Sequence, residues 1–143
     1  MLNSEELINK VKSYNKFLNP EKLNKAYEFA VNAHKNQKRY SGDPYSIHPI
    51  AVADILTELR LDSATITTGL LHDTIEDTYA TYEVIKSEFG LEVADLVNGV
   101  TKISVFENQA SSNSKAENFR KLILATSKDI RVLLVKVADR LHN

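Results

Sequence analysis

The chain has 143 residues, 43% of them hydrophobic, which suits one domain with a real core and is too apolar for a disordered chain. Its 18 basic and 19 acidic residues leave a formal net charge of −1, so nothing in the balance supports a nucleic-acid partner. It has no cysteine, which excludes disulfides and thiolate ligands, so any metal must be held by His and oxygen.

The opening MLNSEELINK is polar and acidic, unlike a secretory signal. No apolar run of about 18 residues or more follows, so no membrane partner is expected and the cytoplasm is the default location. With four Gly and three Pro, breakers are few and long helices are favoured. Residues 4–17 read as a first helix, capped by Asn3 or Ser4, with Glu5 and Glu6 in its first turn. A second begins with Asn19 as cap and Pro20 at the first helical position. Leu23, Ala26, Tyr27, Ala30 and Val31 give it an apolar face. KRYSGDPY is a loop, and Pro49 opens the next helix, whose inner face is Val52, Ala53, Leu56 and Leu59. Residues 63–72 read as buried helix. Thr81 caps a helix that stops at Gly90, and residues 91–103 carry Val93, Leu96, Val97 and Val100 on another. SVFENQASSNSK, residues 104–115, is expected to be a mobile loop, with helix again over 116–127. DIRVLLVKVADRLHN has a strand-like β-branched run but no second strand to pair with, so a buried helix is expected. The chain reads as all-α, with about seven helices.

GLLHDTIEDT, residues 69–78, concentrates one imidazole and three carboxylates where a buried helix ends. Burying such charges costs several kcal/mol unless something positive sits among them. His72 and Glu76, and Asp73 and Asp77, are i and i+4 pairs. His72 and Asp73 are about 100° apart on a regular helix, so both aim at one point only near an end or a distortion. A divalent cation answers the question of the missing charge, with His72 and Asp73 as ligands and Glu76 and Asp77 beside them. His48, in YSIHP, and Asp139, in ADRLHN, are two further ligand candidates. Such a shell suits Mn²⁺, Fe²⁺, Mg²⁺ or Zn²⁺, and composition does not choose among them. Taken singly, a His beside an Asp is more often a surface pair, and Asp139 with Arg140 an ordinary ion pair of little energy. His34 reads as solvated, and His142 as a structural side chain facing away from Asp139.

The spaced set His48, His72–Asp73, Asp139 resembles the H…HD…D motif of HD-domain metal-dependent phosphohydrolases. YSGDPYSIHP, GLLHDTIEDT, FGLEVADLVNGVTKIS and AENFRKLILATSKDIRVLLVKVADRLHN together resemble the hydrolase domain of the RelA/SpoT family, from about residue 20 to the last. These are bifunctional enzymes that make and degrade (p)ppGpp in the stringent response. The resemblance implies an all-α HD-domain helical bundle over residues 1–143, truncated at its C-terminal end and without the synthetase domain. It implies one Mn²⁺ per chain, held by His48, His72, Asp73 and Asp139. It implies hydrolysis of the 3′-pyrophosphate of (p)ppGpp to pyrophosphate and GDP or GTP. Glu76 and Asp77 are then the catalytic carboxylates that orient or deprotonate water. The resemblance implies a guanosine polyphosphate nucleotide bound near RYSGDPY, with Arg39 the candidate to stack on the base or pair with phosphate and Lys38, Tyr40 and Ser41 as neighbours. Tyr45 fits either nucleotide contact or core, and Asn143 resembles a nucleotide-contacting residue. Lys102, Lys136 and Arg140 fit phosphate attraction or ordinary surface charge alike.

Family hydrolase domains continue past RLHN, so an apolar face left uncovered is expected to favour self-association. Asn143 is expected to lack an anchor, whereas Ile130, Val132, Leu133, Leu134, Val135 and Val137 dock the last helix and hold Asp139. Alternatives to the (p)ppGpp hydrolase are an HD phosphohydrolase acting on another nucleotide, and a non-catalytic metal- or nucleotide-binding module that works through protein contacts.

Overall fold

A computed structural model of the chain describes residues 1–38, 41–77, 80–109, 117, 120 and 129–143, with side chains described throughout except at 76–77 and 106–109. The described residues hold eight helical segments: α1 Ser4–Lys12, α2 Pro20–Ala33, α3 Ile47–Glu58, α4 Ser63–Leu71, α5 Thr74–Asp77, α6 Tyr82–Phe89, α7 Leu91–Gln109 and α8 Ile130–His142. An isolated antiparallel bridge, Lys38 to Pro44, is the sole β feature among them. The class is all-α, as expected.

Local chemistry sets most boundaries. Asn3 caps α1 through a reciprocal capping box with Glu6. Asn19 accepts from the Glu21 and Lys22 amides ahead of Pro20, which fills a position where no N–H is needed. The Thr81 hydroxyl accepts from the Val84 amide, and Gly90, at φ 95°, stops α6 in a conformation that disfavours any side chain.

Helix α4 is the centre of the molecule. Every residue from Thr65 to Leu71 is buried, so it has no solvent face and packs against α2, α3, α7 and α8. Its hydroxyls need partners at that depth: Thr68 Oγ1 donates to Ala64 O, and Thr65 Oγ1 to the Asp62 carboxylate. Ile66, Leu70 and Leu71 join Ile50, Leu56, Val97, Val100, Ile103 and Val135 in one core. Each such side chain contributes about 1.5–3 kcal/mol by leaving water.

Three boundaries, and the buried face of one helix, differ from those read in the sequence. Helix α1 ends at Lys12, not near residue 17. Ser13 terminates it, Tyr14 Oη donates to Leu61 O, and Asn15 Oδ1 accepts from the Phe17 amide in a turn. Helix α3 starts at Ile47, two residues before Pro49. Helix α7 runs on to Gln109, through half of the segment expected to be a loop. Thr101 and Ser104 keep their hydroxyls on the carbonyls four residues back, so polar composition there does not break the helix. On α8, Val132, Val135, Ala138 and Asp139 are buried, but Ile130 and Val137 are 62% and 47% exposed, so only part of the apolar run docks. The loop expected over 110–115 and the helix expected over 116–127 lie outside the described residues, apart from Glu117 and Arg120.

Candidate metal centre

Three segments deliver the site. His48 lies in the first turn of α3, its backbone N–H donating to Tyr45 O. The preceding loop is closed at its base by the Lys38–Pro44 bridge and by the Tyr45 amide donating to Gln37 O, and Gly42, at φ 88°, makes its turn. His72 is the C-cap of α4, and Asp73 stands between α4 and α5. The break between these helices lets adjacent side chains face one point. Asp139 comes from α8, ninety-one residues after His48.

The four side chains converge. His48 Nε2 lies 2.6 Å from Asp139 Oδ1 and 3.8 Å from Asp73 Oδ2. His72 Nε2 lies 3.1 Å from Asp73 Oδ2 and 3.3 Å from Asp139 Oδ1. One ligand-type atom each of His48, His72 and Asp139 falls within 4.8 Å of the others, an arrangement that can hold a metal ion. All three are buried and Asp73 is nearly so.

The orientation of His72 is the sharpest test of fit. Its Nδ1 lies 2.6 Å from Gly69 O, a carbonyl that only accepts, so Nδ1 carries the hydrogen and Nε2 is turned to the centre. There Nε2 is fully buried, beside two carboxylates but out of line for a hydrogen bond with either. A buried polar atom without a partner costs about 1–3 kcal/mol. A divalent cation removes that cost and offsets the mutual repulsion of Asp73 and Asp139. The donor set, two imidazoles and two carboxylates, fits such an ion.

Electrostatics agree. Burial would push the His72 pKa down, but the Asp73 charge, reinforced by Asp139 and Gly69 O, raises it to about 10. Burial would push both carboxyls up. The His72 charge holds Asp73 below the ordinary carboxylate range, and contacts from His48, His72 and Lys136 hold Asp139 well below it. The pocket thus selects anionic carboxylates and positive charge between them.

Around the ligands lies a set of partners the sequence reading did not assign. Lys136 Nζ donates to Asp139 Oδ2 at 2.9 Å and to Ser104 Oγ at 3.1 Å, so this lysine supports a ligand rather than standing as surface charge. Tyr45 is half-buried, its Oη donating to Asp73 Oδ2 at 3.2 Å and its ring 4.7 Å from that of His34. His34 is buried, not solvated, with Nδ1 2.8 Å from Gln37 Oε1. His142 does not stand apart as a bystander: its ring meets that of His48 edge to edge, with the two Nδ1 atoms 2.7 Å apart. Asn143 is held after all, through its amide to Asp139 O at 3.2 Å and its Nδ2 to Asp139 Oδ1 at 3.4 Å.

Of the remaining candidates, the described Lys38, Ser41, Lys102 and Arg140 are exposed. The Ser41 hydroxyl donates to Asp43 Oδ2 at 3.0 Å. Glu76 and Asp77 close α5, the short helix that follows Asp73, but their side chains lie outside the described ones. Arg39 and Tyr40 are also outside the described residues.

The HD domain family model matches residues 26–143. The chain is 52% identical over its whole length to the GTP pyrophosphokinase rsh of Brucella melitensis, covering 19% of that protein. It is 51% identical over 122 residues to the bifunctional (p)ppGpp synthase/hydrolase SpoT of Escherichia coli, 85% of this chain and 17% of that one. It therefore spans about a fifth of the length of the curated relatives it matches. A solved structure described as a metazoan ortholog of SpoT that hydrolyzes ppGpp aligns with a TM-score of 0.64 and 31% identity, over 84% of this chain and 66% of that one.

Proposed function

The chain belongs to the HD-domain family, in its RelA/SpoT hydrolase-domain branch, and from that premise we propose that it is a metal-dependent pyrophosphohydrolase acting on the 3′-pyrophosphate of (p)ppGpp. The observation that carries the reading is the convergence of His48, His72, Asp73 and Asp139 from three segments, with His72 Nε2 turned inward and unpartnered.

In this reading those four residues hold one Mn²⁺. When bound, such an ion supplies positive charge to phosphoryl oxygens and acidity to a water molecule. The chain's own groups do the rest. The Gly69 carbonyl and Tyr45 hydroxyl hold His72 and Asp73 in position, and Lys136 holds Asp139. Glu76 and Asp77, one turn beyond Asp73, orient the attacking water and take its proton, which is carboxylate work near neutral pH. The loop ahead of α3 binds the nucleotide: Arg39 stacks on guanine, with Lys38, Tyr40 and Ser41 as its neighbours, and Asn143 contacts the nucleotide from the end of α8. The products are pyrophosphate and GDP or GTP.

The test is a panel of nucleotides assayed with Mn²⁺ and with chelator, products resolved by chromatography. Mn²⁺-dependent release of pyrophosphate from ppGpp and pppGpp is expected. Metal-dependent turnover of a different nucleotide alone would move the reading to another HD phosphohydrolase. Binding without turnover of any would make the chain a recognition module.

A further inference from the structure

The contact between His48 and His142 is demanding chemically. Two imidazole Nδ1 atoms 2.7 Å apart repel unless one proton lies between them, so one ring donates and the other accepts. The rings meet edge to edge, with centroids 5.0 Å apart and planes 27° from parallel. For His48 Nε2 to serve a cation it must present its lone pair inward. The proton of the neutral ring then resides on Nδ1, and the acceptor within reach is Nδ1 of His142.

We propose that His142 is the positioning residue of the metal centre, the acceptor that fixes the tautomer and ring angle of His48. The inference rests on the metal reading above and adds a residue to it. His72 has its acceptor in the backbone, at Gly69 O, and His48 has a side chain in the same role. Helical spacing places it: His142 lies three residues after Asp139 on α8, so one helix face supplies a ligand to the centre and a support to the ligand opposite. The 2.7 Å contact with His142 holds the edge of the imidazole away from the centre, and the edge facing Asp139 at 2.6 Å is the one left to the cation.

The test compares His142→Phe, which keeps a flat ring and removes the acceptor, with His142→Gln, whose amide oxygen can accept the same proton. Mn²⁺ affinity is read directly, by the paramagnetic resonance signal of free ion or by calorimetry, with circular dichroism checking the fold. The Phe variant is expected to bind about ten-fold more weakly than wild type, and the Gln variant to recover most of the loss. Wild-type affinity in the Phe variant, or equal weakness in both, would overturn the proposal. A readout needing no variant is the nitrogen-15 spectrum of wild-type protein loaded with diamagnetic Zn²⁺. A proton on His48 Nδ1 supports the assignment, and a bare Nδ1 refutes it. If the wild-type chain takes up no divalent ion, the metal reading fails first and this one with it; if wild type binds and the Phe variant matches it, this one fails alone.

Discussion

His72 and Glu76 stand four residues apart and are expected to fail in different ways. His72→Ala removes a buried nitrogen that faces two carboxylates, so both Mn²⁺ binding and hydrolysis should vanish. Glu76→Gln keeps the size and removes the base, so kcat should fall about 100- to 10,000-fold while Mn²⁺ affinity stays near wild type. Direct ion titration beside steady-state kinetics separates the two, and wild-type turnover in the Gln variant would end the base assignment. His72 and Asp73 were legible as ligand candidates because a run of carboxylates against a buried helix end needs a counter-charge, and His48 and Asp139 were joined to them by the H…HD…D pattern. Their supports were not. Lys136 and His142 each stand three residues from Asp139, and Tyr45 stands three from His48. That spacing was available, but which of two neighbouring helices each side chain would serve depends on packing between distant segments. His34 shows the same limit: its polar surroundings in sequence read as solvent, whereas the turn into the loop folds Gln37 and Tyr45 over it.

At the scale of elements, Gly99 lets α7 lie close against α8. A Cβ built there would stand 2.9 Å from Val132 Cγ2 and 3.2 Å from Cγ1. Valine is stiff at χ1 and nearly fully buried, so neither methyl can swing clear. Gly99→Ala gains up to about 1 kcal/mol of helix propensity but overpacks at a cost of about 1–3 kcal/mol. Net destabilisation of about 1 kcal/mol is expected in denaturant melts. The pair Gly99→Ala with Val132→Ala should be less destabilised than the sum of the two single changes; additive values would show that the two side chains do not collide. The helix order was readable because caps and breakers are local: Asn19, Thr81 and Gly90 act as their types predict. The extent of α7 was not, because Thr101 and Ser104 satisfy their hydroxyls inside the helix and Ser104 also accepts from Lys136 on α8. Likewise α8 was recognisable as a helix for want of a pairing strand, yet its run of apolar residues did not reveal that Ile130 and Val137 stay outside the core.

At the scale of the whole molecule, the centre staples α3, the α4–α5 junction and α8, which meet only in the folded chain. A cation bound there stabilises the native state by mass action, about 2.7 kcal/mol at a hundred times its Kd, or a rise in Tm of about 10 °C for a domain of this size. The gain should also depend on pH. Without the ion, His72 carries a proton in the fold up to about 10, against an ordinary value near 6.5. A raised pKa contributes stability that is complete below about 6.5 and lost as pH rises through 10, so Tm measured in chelator should decline from pH 6.5 upward. The lowered Asp73 and Asp139 act on the other side: their contribution is present above about pH 4 and lost in acid. With Mn²⁺ bound, His72 Nε2 serves the ion unprotonated, and the alkaline decline no longer includes it. The difference in Tm with and without Mn²⁺ should therefore widen between pH 6 and 8.5, and should disappear at every pH in His72→Ala. Scanning calorimetry of both proteins across that range decides it. A difference that is flat with pH, or that survives the His72 substitution, would place the stabilising ion somewhere other than this centre.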